Sequence, residues 1–134
     1  VASNNNLNML EEMKVLALAQ KGVNRNPLLM KPDEVMRLAT VNGAAAMRRE
    51  HCGYIEEGAC ADLTVLDLSA PYMQPVHSVI DQILWSSCGT DIRLTMVDGV
   101  VLYRDGEYPR MDIEKIQYEC RAAARRISLE LPEG

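Results

Sequence analysis

The chain has 134 residues, a formal net charge of −5, 48% hydrophobic residues, and only 4% aromatic residues with no Phe. That length is one domain's worth of chain, and its apolar fraction has to pack through Leu, Val, Ile and 8 Met, flexible side chains that fill irregular gaps. The acidic balance argues against nucleic acid or an anionic membrane as partner, and no apolar run reaches bilayer length, so the expectation is a cytoplasmic protein.

Val1 stands where a natural start would carry Met, and Ala2-Ser3-Asn4-Asn5-Asn6 reads as a loop already under way; the chain is expected to be cut from something longer. A helix is predicted from Asn6 to Lys21, capped by Asn5 or Asn6 and stopped by Gly22. It carries Met9, Met13, Leu16 and Ala17 on one face. Val15, Leu18 and Ala19 are apolar as well, which predicts burial between layers. Asn24 to Pro27 form a loop. Pro32 then opens a second helix, with Asp33 and Glu34 in its first turn and Val35, Leu38 and Ala39 facing inward. Asn42-Gly43 interrupts that pattern, and Ala44 to Met47 add another turn or two.

Gly53 and Gly58 bracket a turn, after which Ala61-Asp62 opens a β-branched strand over Leu63 to Asp67. Pro71 and Pro75 mark a loop, and a short helix carries Val79, Ile80, Ile83 and Leu84 towards a turn at Ser86 to Gly89. Ile92 to Val97 and Val100 to Arg104 flank Asp98-Gly99, a strong hairpin signal. Asp112 caps a terminal helix whose Ile113, Ile116, Ala123 and Ile127 fall on or near one face.

Few residues promise chemistry. Cys52, Cys60, Cys88 and Cys120 are too widely spaced for a zinc knuckle or a redox motif and read as reduced thiols. His51 and His77 stand alone, which speaks against a self-contained histidine-rich zinc site. Asp62 reads as an acceptor for backbone N–H groups rather than as a catalytic acid. The Ser3-Asn4-Asn5-Asn6 run precedes a helix N-terminus, where such side chains cap the helix or contact a ligand.

Gly53 to Asp67, echoed by Val97-Asp98-Gly99 through Gly106, resembles the last part of amidohydrolase-superfamily enzymes. The resemblance runs through the whole chain in order. Ala2-Ser3-Asn4-Asn5 and the tail from Asp105 to Lys115 are similar to the methylthioadenosine/S-adenosylhomocysteine deaminase and chlorohydrolase branch. It implies a mixed α/β fold: the last helices of a (β/α)8 barrel over residues 1–50, C-terminal strands of a small composite β-sandwich over 51–106, and a C-terminal helix over 107–134. Such a chain is incomplete when isolated.

In the resembled enzymes a metal-binding Asp comes directly before the Ala-Ser-Asn-Asn segment. Ser3, Asn4 and Asn5 are therefore the residues expected to lie close to substrate, on the loop after the eighth barrel strand. The resemblance implies hydrolysis at a C–N or C–Cl bond of a purine- or triazine-like ring, with deamination first. A divalent metal (zinc, iron or nickel) is implied for the complete enzyme, whereas this chain has no counterpart of the metal ligands or the catalytic acid/base. The expected partners are the rest of the barrel or a second chain, with homo-oligomerisation. The alternative is a non-catalytic interaction or assembly module derived from such an enzyme.

Overall fold

The computed structural model describes residues 6–130. Helix α1 (Met9–Val23) starts where Asn8, in extended conformation, accepts the Leu10 N–H on its side-chain oxygen at 3.2 Å. The cap is thus Asn8 and not Asn6; Asn5 lies outside the described residues. Asn6 Oδ1 instead accepts the Asn8 N–H at 3.1 Å, and its amide donates to Glu11, which steers the chain into the cap. Gly22 does not end the helix either. α1 runs on to Val23, and the Asn24 backbone and side-chain N–H groups close it on the Gln20 carbonyl.

Pro32 takes the first position of α2 (Pro32–Arg37), and Glu34 reaches back to accept the Lys31 N–H at 2.8 Å. Thr40 Oγ1 donates to the Met36 carbonyl at 2.7 Å. From Leu38 to Asn42 the helix widens into one π-helical turn and then resumes as α3 (Gly43–Ala46). The expected interruption at Asn42-Gly43 is therefore a local widening, which absorbs an extra residue without breaking the helix.

A three-stranded antiparallel sheet follows, in the order β1 (Leu63–Leu66), β2 (Ile92–Val97), β3 (Val100–Arg104). Leu63 pairs with Met96 and Thr64 with Thr95; Thr95 also pairs with Tyr103 on the other side. At the β2–β3 tip Asp98 (φ 50°) and Gly99 (φ 74°) are both left-handed, as a type I′ turn requires. Asp62 Oδ1 accepts the Asp98 N–H at 2.7 Å, and the Ala61 carbonyl accepts the Gly99 N–H at 3.1 Å. The chain entering β1 thereby clamps the hairpin tip.

Between β1 and β2, Ser78 caps α4 (Val79–Ser86) by accepting the Asp81 N–H. α4 packs back on α1 and α2, and Leu84 joins Met13, Ala17 and Val35 in the main buried cluster. Met30, Met36, Ala39 and Trp85 cover it partly. Fully burying a side chain such as Leu84 contributes roughly 1.5–3 kcal/mol. Among the described residues few others are buried, whereas Val15 and Leu18 on the other side of α1 remain 54% and 53% exposed.

Asp112 caps α5 (Ile113–Glu130) by accepting the Lys115 N–H at 2.9 Å. The chain exposes 10477 Å², against about 7,000 Å² for a self-contained monomer of its mass. Surface normally buried in a complete fold is open here. No helix among the described residues is long and apolar enough to cross a membrane.

Candidate functional site

The three residues that the sequence nominates, Ser3, Asn4 and Asn5, lie outside the described residues. The structure does describe the ground they lead onto. α1 opens with Asn6 Oδ1 on the Asn8 N–H, Asn8 Oδ1 on the Leu10 N–H, and the Asn6 amide on Glu11. These contacts fix the direction in which the chain enters α1, and they commit both asparagine oxygens to backbone donors.

Asp62 is placed as a clamp. Besides accepting the Asp98 N–H, its carboxylate lies 3.6 Å from the Arg49 guanidinium. Arg49 also neighbours Cys52, whose thiol pKa is raised by its hydrogen bond with Cys60 and by desolvation. His51 and His77 are both exposed. Cys52, Cys60, Cys88 and Cys120 are free thiols.

One polar centre was not legible in the sequence. Asp91 is 5% exposed and accepts from the Tyr72 hydroxyl through Oδ1, and from the Cys88 N–H (2.8 Å) and Cys88 Sγ (3.4 Å) through Oδ2. Desolvation pushes its pKa up, but the bonds from Tyr72 and Cys88 outweigh it and hold the carboxyl below its ordinary value. Facing that charge, the Tyr72 hydroxyl is pushed well above its ordinary pKa. Both oxygens of Asp91 are occupied by donors, so the cluster ties the Pro71–Met73 turn to the approach to β2. The signal available in sequence was Cys88-Gly89-Thr90-Asp91, where an Asp three residues on reaches back to an N–H.

On the surface, Asp67 accepts from the Ser69 N–H at 2.9 Å and from Arg93 at 2.8 and 3.2 Å, and these bonds lower its pKa to about 2. A shallow hollow of about 410 Å³ lies between the end of α1 and α2, lined by Gln20, Leu29, Met30, Glu34 and Arg37 among others. A second, of about 370 Å³, lies on the sheet beside Thr95, Tyr103 and Tyr108. Neither gathers a nucleophile and a base. Among the described residues no three His, Cys, Asp or Glu side chains converge as a metal ligand set, so these residues do not fit a metal by themselves.

The fold and the sequence agree on a family. The model of the amidohydrolase family matches residues 1–102, and the chain belongs to that family. It is 40% identical over 126 residues to a 5-methylthioadenosine/S-adenosylhomocysteine deaminase of Nitratidesulfovibrio vulgaris, covering 94% of this chain. It is 37% identical over 126 residues, again 94% of this chain, to a 5′-deoxyadenosine deaminase of Methanosarcina mazei. Both matches take in 29% of the relative's length; the chain thus spans under a third of these relatives.

Among solved structures it superposes on a zinc-bound adenosine deaminase from Xanthomonas campestris. The TM-score is 0.91 at 30% identity, covering 96% of this chain and 29% of that one. A zinc complex of atrazine chlorohydrolase from Arthrobacter aurescens matches at TM-score 0.76 and 25% identity, over 84% of this chain and 25% of that one.

Proposed function

We propose that this chain is the C-terminal portion of an aminohydrolase acting on a C–N bond of a purine-like ring, of the kind that deaminates methylthioadenosine or S-adenosylhomocysteine. The observation that carries the reading is the in-order match to such deaminases at 40% identity over 94% of the chain. The chlorohydrolase likeness, at 25% identity, gives ring dechlorination less support.

On this reading residues 1–50 end a (β/α)8 barrel, 51–106 return the strands of a small β-sandwich, and 107–134 form the terminal helix. The exposed second face of α1 and the partly exposed sheet are the surfaces that the rest of the barrel and sandwich would cover. On the same reading Ser3, Asn4 and Asn5 are the residues of this chain that lie closest to substrate. The complete enzyme takes a divalent metal, zinc, iron or nickel, on ligands other than the described residues. The working protein combines this chain with the remainder of the barrel, in one polypeptide or two, and associates further with its own kind.

The test is to express the gene with its upstream coding sequence and to assay ammonia release from methylthioadenosine, S-adenosylhomocysteine and adenosine, with metal content on the same sample. The expected result is an upstream His-x-His motif, an Asp immediately before Val1, stoichiometric metal, and turnover lost in Ser3→Ala or Asn4→Ala. An upstream sequence without these ligands, or a metal-loaded protein inert to all three purines, would overturn the reading and leave an assembly module in its place.

A further inference from the structure

Helix α5 carries an apolar stripe edged on one side by opposite charges. Ile113, Ile116, Cys120, Ala123 and Ile127 recur at alternating spacings of three and four. At about 100° per residue these five positions form a seam within an arc of about 80°, and Ala124 at its margin widens the apolar stripe to about 100°. The structure leaves that seam uncovered: Ile116 is 42% exposed and Ile127 51%. Tyr118 and Leu129 lie on the far side of the helix and do not belong to it.

The residues flanking the seam decide what covers it. On one side stand Glu119 and Arg126, one heptad apart; on the other, Gln117 and Ala124. We propose that α5 pairs antiparallel with α5 of a second copy of this chain. Antiparallel pairing sets Cys120 of one helix against Ala123 of the other and Ile116 against Ile127, so small residues meet at the centre and large ones flank them. The same register brings Glu119 of each copy beside Arg126 of the other, twice across the two-fold axis, and Gln117 beside Ala124. No like charges meet. A parallel pair would face Glu119 with Ala124 and gain no ion pair.

The 18 residues of α5 span about 27 Å, and a two-helix seam of that length associates weakly and reversibly. Lys115 lies 4.0 Å from Glu119 in an exposed pair within one helix, an interaction weak enough to yield to Arg126 of the other copy.

Sedimentation equilibrium of the 134-residue chain over a wide concentration range tests the proposal. The expected result is a monomer–dimer equilibrium between 15.0 kDa and twice that mass. Ile116→Glu should abolish the dimer, and Glu119→Arg should weaken it about tenfold. The charge exchange Glu119→Arg with Arg126→Glu should restore wild-type affinity. Glu119 is a surface residue, so its variants do not put folding at risk, and circular dichroism checks the helix content of Ile116→Glu. A chain that stays monomeric, or a dimer whose affinity ignores both Ile116 and Glu119, would overturn the proposal, the latter by placing the interface elsewhere.

Discussion

Gly53→Ala is the sharpest perturbation this fold offers, because one methyl group meets two separate penalties there. Gly53 sits at φ 87°, and a Cβ on it would lie 2.8 Å from the backbone of Thr40 and Val41. Those atoms belong to the π-helical turn, so no flexible side chain can move aside. A left-handed conformation costs a non-glycine residue about 1–2 kcal/mol. Forcing backbone apart in a packed contact adds about 1–3 kcal/mol, for a total of about 2–5 kcal/mol. Gly58 has nearly the same φ, 86°, with nothing within 4 Å of the added Cβ, so Gly58→Ala should show the conformational cost alone, about 1–2 kcal/mol. Urea denaturation followed through Trp85, the single tryptophan, reports on the helical cluster that Trp85 partly covers. Equal destabilisation by the two substitutions would refute the argument that the loop leans on the π-helical turn.

Three further outcomes are expected. Gly99→Val should destabilise more than Asp62→Asn in the same denaturation series: Gly99 holds φ 74° in the hairpin turn, which a β-branched residue resists, while the Asp62→Asn change keeps a side-chain oxygen for the Asp98 N–H. Asp67, with its pKa lowered to about 2 from 3.8, contributes stability that is complete above the ordinary carboxylate range and lost as pH falls towards 2; Asp67→Asn should flatten the acid limb of a stability-against-pH profile. Asn8→Ala removes the α1 cap and should lower stability by about 1 kcal/mol in the same urea series, with Asn6→Ala costing less.

What the sequence revealed depended on whether the signal was local. The hairpin was legible because Asp98-Gly99 offers residue types that tolerate adjacent left-handed positions, and Pro32 and Asp112 marked helix starts, the one through its fixed φ and the other through its side-chain carboxylate. The start of α1 was misplaced because Asn5, Asn6 and Asn8 are all competent caps. Only the geometry of Asn6, which accepts the Asn8 N–H and binds Glu11, singles out Asn8. The π-helical turn left no mark beyond Thr40, whose side chain bonds Met36 as threonines do in ordinary helices. Asp91 and Tyr72 are 19 residues apart, and nothing local to either announces the other. The site fared differently: Ser3, Asn4 and Asn5 came from resemblance alone and lie outside the described residues.

The uncovered surface is too large for one kind of partner. The excess over a self-contained monomer is about 3,400 Å², whereas an ordinary protein–protein interface removes about 800 Å² from each side. Pairing through α5 therefore accounts for a minor share. The exposed face of α1 and the α5 seam also differ in kind. Val15 and Leu18 lie on a helix already packed through Met13 and Ala17, so that helix is apolar on two sides, as in an interior layer. The α5 seam is edged on one side by opposite charges a heptad apart, and self-complementary only when reversed. A layer face is covered once, during folding; a charged, self-complementary seam suits reversible association of finished molecules. In a longer protein that carries the proposed barrel, α1 should therefore become buried while the monomer–dimer equilibrium through Ile116 and Glu119 stays in place.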